Sequence, residues 1–221
     1  MRLRIGQVGT LLLLAASLHA DTLFSSFGPG GTFTTTFGWG IGGPFEMAYP
    51  FVSSETAAFE TAALGISTPQ DPRFTQRSVN IDLLTDASDS PGTILESFQL
   101  VNVLPFSGSI APPIIVDSVS HPLLEANTRY WLAIENPGNT GSIDWGTAGV
   151  GPNQRASRPV GATSWFVGSA DHFTSGAFDV TGTPLSSVPE PSTAFLAGGV
   201  FAIGLVSFGA RQKFPTFTLQ K

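Results

Sequence analysis

The sequence predicts an all-β fold, an antiparallel β-sandwich of jelly-roll-like build over residues 21–183, with a short apolar segment beyond each end. Three observations lead there. No stretch between the apolar ends sustains a 3.6-residue apolar period with helix caps. Short runs of β-branched and aromatic residues recur at near-regular spacing, separated by Gly, Pro, Asn and Asp. Charged residues make up only 12% of the chain while it holds 25 glycines and 18 phenylalanines, a balance that suits short strands and tight turns.

Residues 32–37 form the first such run. Residues 57–66 form a second, and their alanines also suit a helix. Over 78–84 the alternation is clean: Val79, Ile81 and Leu83 point one way, Asn80 and Asp82 the other. A turn then leads into 93–103, and 114–119 follows Pro112-Pro113. The strongest strand is 128–134, with Tyr130, Leu132 and Ile134 on one face and Arg129, Trp131 and Ala133 on the other. Residues 142–145, 163–167 and 176–180 complete the set. Residues 184–187 read as a linker.

Both ends carry addresses. Arg2 and Arg4 precede an uncharged, Leu-rich run over 8–18, and His19-Ala20 leads to Asp21. Charge followed by a run too short to cross a bilayer is the layout of a secretory signal peptide, residues 1–20, cut after Ala20. At the other end, 188–193 is a polar, proline-flanked strip, 194–210 is uncharged, and Arg211 and Lys213 follow. As a helix, 194–210 would reach about 25 Å at ~1.5 Å per residue, which spans a bilayer core once Ser192, Thr193 and a snorkelling Arg211 extend it. Arg211 and Lys213 would mark the cytoplasmic side. Residues 214–221 form a short tail.

Val188, Pro189, Glu190, Pro191 and Ser192, the span rich in small residues and the basic stop together resemble the PEP-CTERM sorting signal. The resemblance covers about thirty residues at the terminus. It implies recognition by exosortase, a membrane transpeptidase-like enzyme, then cleavage near the Pro-Glu-Pro and transfer of a membrane-anchored precursor to the cell envelope or extracellular matrix. Members usually end soon after several Arg or Lys; here Arg211 and Lys213 are followed by eight more residues. The two prolines suit such a strip, since each fixes φ, removes a donor and pushes the preceding residue toward an extended form.

A second resemblance lies inside the body. Val79 to Leu84, then Asp86 to Gly92, then Thr93 to Leu95 is similar to a strand, turn and strand of the choice-of-anchor R domain. So are Leu124 to Ile134 and Gly141 to Trp145. That resemblance implies an exported β-rich module and names no ligand.

Composition narrows the function. The chain has no cysteine, so an exported body must be held by packing alone. Between Asp21 and Ser187 stand fifteen acidic side chains against five arginines and no lysine, a net charge of −10. Such a surface repels nucleic acid and anionic lipid. Asp86, Asp89 and Ser90 could offer oxygens to Ca²⁺, yet they lack EF-hand spacing and suit a tight turn equally. Trp39, Trp131, Trp145 and Trp165 could stack on sugars if exposed. Trp131 suits the core; Trp145 and Trp165 are the glycan-contact candidates, with core packing as the alternative for each. His121 and His172 have no convergent nucleophile, and no zinc set clusters in the sequence. The expectation is therefore an exported, non-enzymatic, structural or adhesive β-sandwich of an exopolysaccharide-rich surface. A lectin-like module is the alternative, and a polysaccharide-active enzyme with paired carboxylates comes third.

Overall fold

The computed structural model describes residues 19–43, 45–71, 77–107, 112–137, 142–147, 154–169 and 175–185. They form fourteen strands and one three-residue 3₁₀ turn, Pro29–Gly31. The strands are β1 (Asp21–Ser25), β2 (Thr34–Gly42), β3 (Phe45–Val52), β4 (Ala57–Leu64), β5 (Ile66–Ser67), β6 (Val79–Asp86) and β7 (Pro91–Leu100). Then come β8 (Ile114–Asp117), β9 (Leu123–Leu124), β10 (Arg129–Glu135), β11 (Ser142–Thr147), β12 (Gln154–Pro159), β13 (Phe166–Ser169) and β14 (Phe178–Pro184). All fourteen pair antiparallel, which bears out the all-β class.

Three sheets result. A six-stranded sheet runs β13-β12-β3-β10-β6-β7. A five-stranded sheet runs β1-β14-β4-β8, with β9 also on β4. A small sheet runs β2-β11-β5. One core takes side chains from all three, an arrangement consistent with a β-sandwich. The six-stranded sheet contributes Val79, Ile81 and Leu83 from β6 and Tyr130, Leu132 and Ile134 from β10, the faces the alternation marked. The five-stranded sheet answers with Leu23, Phe59, Leu64, Phe178 and Val180. Each such side chain stabilises by roughly 1.5–3 kcal/mol when fully buried.

The three sheets meet at one aromatic corner. Tyr49 of β3 sits edge-on to Trp145 of β11 at 4.9 Å, and Trp145 lies 6.0 Å from Phe178 of β14. Gly176 makes room there: a Cβ at that position would stand 2.6 Å from Tyr49 Cε2 and 2.8 Å from Trp145 Cε2.

The structure adds strands that pattern alone did not announce. β3 is central to its sheet although it contains Pro50. β12 pairs with β3 only as far as Ala48, so on that side no ladder reaches Pro50, a place where a missing N–H is tolerated. β12 reads Gln-Arg-Ala-Ser-Arg-Pro, with no β-branched residue, and is held by its two neighbours. β1 and β9 were also unannounced. Residues 57–66, ambiguous in sequence, are strands β4 and β5. The second face of β10 is buried too: Trp131 and Ala133 join Ala48, Leu84 and Ala156 in a separate small cluster.

Candidate functional site

The sorting strip Val188–Ser192, the span 194–210, Arg211, Lys213 and the tail lie outside the described residues, as do residues 1–18, Asp171 and His172. Among the described residues no helix is long and apolar enough to cross a membrane.

Trp145 requires a correction. It is 0% exposed, and its Nε1–H donates to the Ala177 carbonyl at 3.2 Å. The cause is the period of two along β11: Ile143 and Trp145 turn to the core, and Ser142 and Asp144 turn away. A glycan contact needs an open indole face, and Tyr49 and Phe178 pack against this one. Trp131 is buried as its strand suggested, and its Nε1–H donates to Asp86 Oδ1 at 2.8 Å. The side chain of Trp39 lies outside the described residues.

Asp86, Asp89 and Ser90 form the β6–β7 turn. Asp86 Oδ2 accepts the Asp89 N–H at 3.1 Å, and Ala87 N–H donates to the Ser90 carbonyl at 2.7 Å. Ser88 and Asp89 take left-handed φ of 57° and 64°. Asp89 pairs with Arg129. Of the oxygens offered to a cation in the sequence, those of Asp86 are thus engaged within the turn and on Trp131, and Asp89 is engaged with Arg129. Among the described residues no three His, Cys, Asp or Glu are grouped to hold a metal. His121 Nδ1 lies 3.1 Å from the Phe59 carbonyl and 3.3 Å from Glu60 Oε2, in the β8–β9 connection.

Trp165 keeps partial exposure and brings neighbours the sequence did not link to it. The Arg158 guanidinium lies 4.2 Å from its ring centroid, so one indole face already carries a cation. Arg158 Nε and Nη2 each reach Glu46 Oε2 at 2.6 Å. Glu46 is cross-strand to Glu135, and Glu135 Oε2 accepts from Asn80 Nδ2 at 3.2 Å. Burial pushes the Glu46 carboxyl up against the pull of Arg158, and Glu135 and Asp82 add to the rise. Asp82 is raised by its own burial, opposed by the Ser97 hydroxyl. Glu46 is 6% exposed and Arg158 only partly covered, so the cluster presents a sheltered ion pair at the margin of a cleft.

Glu46 also borders an opening beside β2. A cleft of about 250 Å³ separates β2 from β3 and β12; Gly40, Gly42, Phe45, Arg155 and Ser157 help line it. Phe45 is 48% exposed. On the adjoining face of the small sheet, Gly40, Asp144 and Ser67 stand in one cross-strand row. Gly40 has no side chain to fill that row. A Cβ built there would lie 3.3 Å from Ser142 Oγ and 3.6 Å from Asp144 Oδ1. Burial pushes the Asp144 carboxyl up. Ser67 Oγ is buried without a hydrogen-bond partner.

Sequence reasoning missed Asp144, Gly40, Glu46 and Arg158 as site residues. For Asp144 the signal was present, because apolar Ile143 already told which face of the strand turns inward.

No protein-family model matches the chain, and no curated protein matches it.

Proposed function

We propose that this chain is an exported β-sandwich of jelly-roll-like build, sorted by exosortase through its C-terminal tail and set in the cell envelope or extracellular matrix. Its role there is structural or adhesive, alongside exopolysaccharide, and non-enzymatic. The observation that carries this reading is the order at the terminus: Val188 to Ser192, then the uncharged 194–210, then Arg211 and Lys213. The body between the two addresses supports it. It is built of strands without a single cysteine and carries an excess of carboxylates. Its last strand ends at Pro184, with three residues between it and Val188, and Leu185 N–H still donates to the Thr56 carbonyl. The Glu46–Arg158 pair, largely sheltered, supports a structural use of that carboxylate.

The test is mass analysis of the C-terminal peptide in envelope and extracellular fractions, in cells with and without exosortase. The expected form ends within 188–192 in the first and keeps its full tail in the second. An intact terminus on every extracellular copy, or identical display in both cells, overturns the proposal.

A further inference from the structure

We propose that the cleft-side face of β12 and β13 binds a neutral polysaccharide, with the exposed rings of Phe45 and Phe166 stacking on sugar faces and Ser157 and Arg155 between them bonding to hydroxyl groups. The inference gives the matrix reading a ligand class and takes its biological meaning from that reading.

Register places these four side chains on one face. Ala156 and its partner Val167 pack into the small cluster on the outer face of the six-stranded sheet, so their neighbours turn the other way. Ser157 stands opposite Phe166 on one side and Met47 on the other, and all three turn inward. Arg155 does the same, and it lines the cleft of about 250 Å³ together with Ser157 and Phe45. Phe45 is opposite Pro159, two residues along β12 from Ser157. Met47 and Tyr49, on the same face of β3, are closed over by the core. Toward β13 that cover runs out: Phe45 is 48% and Phe166 77% exposed. The Phe166 ring leans toward the bare backbone of Gly168, where a Cβ would lie 3.6 Å from its Cε1. Across the cleft Gly40 and Gly42 present no side chain, which keeps the space open.

A sugar ring has an apolar C–H face and a rim of hydroxyl groups, and this surface answers both. The phenyl rings take the faces. Arg155 carries five N–H donors, so it serves hydroxyl oxygens while keeping its contact inside the protein, and the Ser157 hydroxyl donates or accepts. Phe45 and Phe166 stand two strands apart, about 10 Å at ~4.8 Å per strand, which calls for a chain of sugars and not a single ring. Other occupants fit less well. A membrane or an apolar protein surface would cover Arg155 and Ser157 without giving them partners. A second copy brings a net charge of −10 against its own like. An acidic glycan meets that same charge, with the Glu46 carboxylate at the cleft margin.

The experiment is affinity electrophoresis of the full chain, purified in mild detergent, through gels holding dextran, laminarin or galactomannan, with polygalacturonate as the acidic control. Retardation is expected in at least one neutral gel. Phe45→Ala and Phe166→Ala should each weaken it about threefold, and together about tenfold, as stacking contacts are lost. Both rings are open to solvent, so melting temperatures should stay near the parent's. Ile115→Ala removes an exposed apolar side chain from the other large sheet and should leave retardation unchanged. Four results overturn the assignment. They are no retardation in any neutral gel, retardation that survives the double variant or falls equally with Ile115→Ala, retardation by polygalacturonate alone, and a parent dimer that the double variant separates, which would give the face to a second copy. The tail analysis reads the C-terminus and this assay reads the cleft face, so one can fail while the other stands.

Discussion

Glu96 straps the two larger sheets together at their shared edge, and replacing it by glutamine tests that strap directly. Glu96 belongs to β7, at the rim of the six-stranded sheet, on the inward row set by its partner Leu83. Its Oε1 accepts the N–H groups of Val119 and Ser120 at 2.7 and 3.0 Å, and its Oε2 accepts the Ser118 hydroxyl at 2.6 Å. Those three residues follow β8, an edge strand of the other sheet. Burial alone would raise the Glu96 carboxyl; the hydrogen bonds outweigh it and hold the group below its ordinary value of 4.5. A bond to a charged acceptor is worth ~1.5–3 kcal/mol when sheltered, and partial exposure here brings each nearer the ~0.5–1 kcal/mol of a neutral pair. Glutamine keeps one acceptor oxygen and loses the other, so Glu96→Gln should cost about 1–2 kcal/mol. In a domain of this size that lowers the melting temperature by roughly 3–6 °C. The acid dependence has a definite sign. A carboxyl held low in the folded state stabilises fully above its unfolded value and loses that contribution as pH falls through the folded one. The gap between parent and variant should therefore hold steady from pH 8 to 5 and close below about pH 4. Glu46, Asp82, Asp144 and Asp179 are raised by burial and act in the opposite sense, but both proteins carry them. Thermal melts followed by circular dichroism at pH 7, 5 and 3 read the difference. Coincident curves at pH 7, or a gap that widens in acid, would refute the strap.

Two further substitutions probe the core and the sheltered ion pair. Trp145→Ala empties the corner where the three sheets meet and should cost about 3–5 kcal/mol, seen as a large fall in melting temperature or loss of soluble protein. A near-parental melt would return Trp145 to the surface. Arg158→Met leaves Glu46 closed in beside Glu135 and Asp82, and should cost about 3–5 kcal/mol at neutral pH, as a buried charge without its partner does. Glu46→Gln in the same chain should recover much of that loss. Acidification should recover it as well, because Glu46 is raised by burial and protonation removes the stranded charge. Equal melting temperatures for the single and double variants would show that Arg158 acts through packing on Trp165 and not through charge.

The strands that announce themselves in sequence are those whose two faces differ. Val79, Ile81 and Leu83 against Asn80 and Asp82 put β6 in register by inspection, and β10 follows the same rule. β3 and β12 break the link between local pattern and structure. Pro50 argues against a central strand, and Arg155 and Arg158 argue against a covered one; only the pairing of the two strands and the cluster above them resolves both. The Glu46–Arg158 pair joins residues 112 apart, and nothing local in the chain selects one partner among fifteen acids. Asp144 is different. Its neighbour Trp145 drew attention as the larger side chain, yet simple alternation from Ile143 sends the indole inward and the carboxylate out.

β14 lies between β1 and β4, and its Phe178 and Val180 fill the core. Asp21 at the start of β1 is opposite Gly182 near the close of β14, so the earliest strand finds its partner in the latest one. A chain fed out from its N-terminus cannot close the five-stranded sheet until residue 184 is free, although β4 already has β8 and β9 to pair with. The β1–β14 pairing joins the two ends of the described chain, and closure over so long a separation is slow. Until that moment β1 has no partner in its sheet and the five-stranded layer stays open.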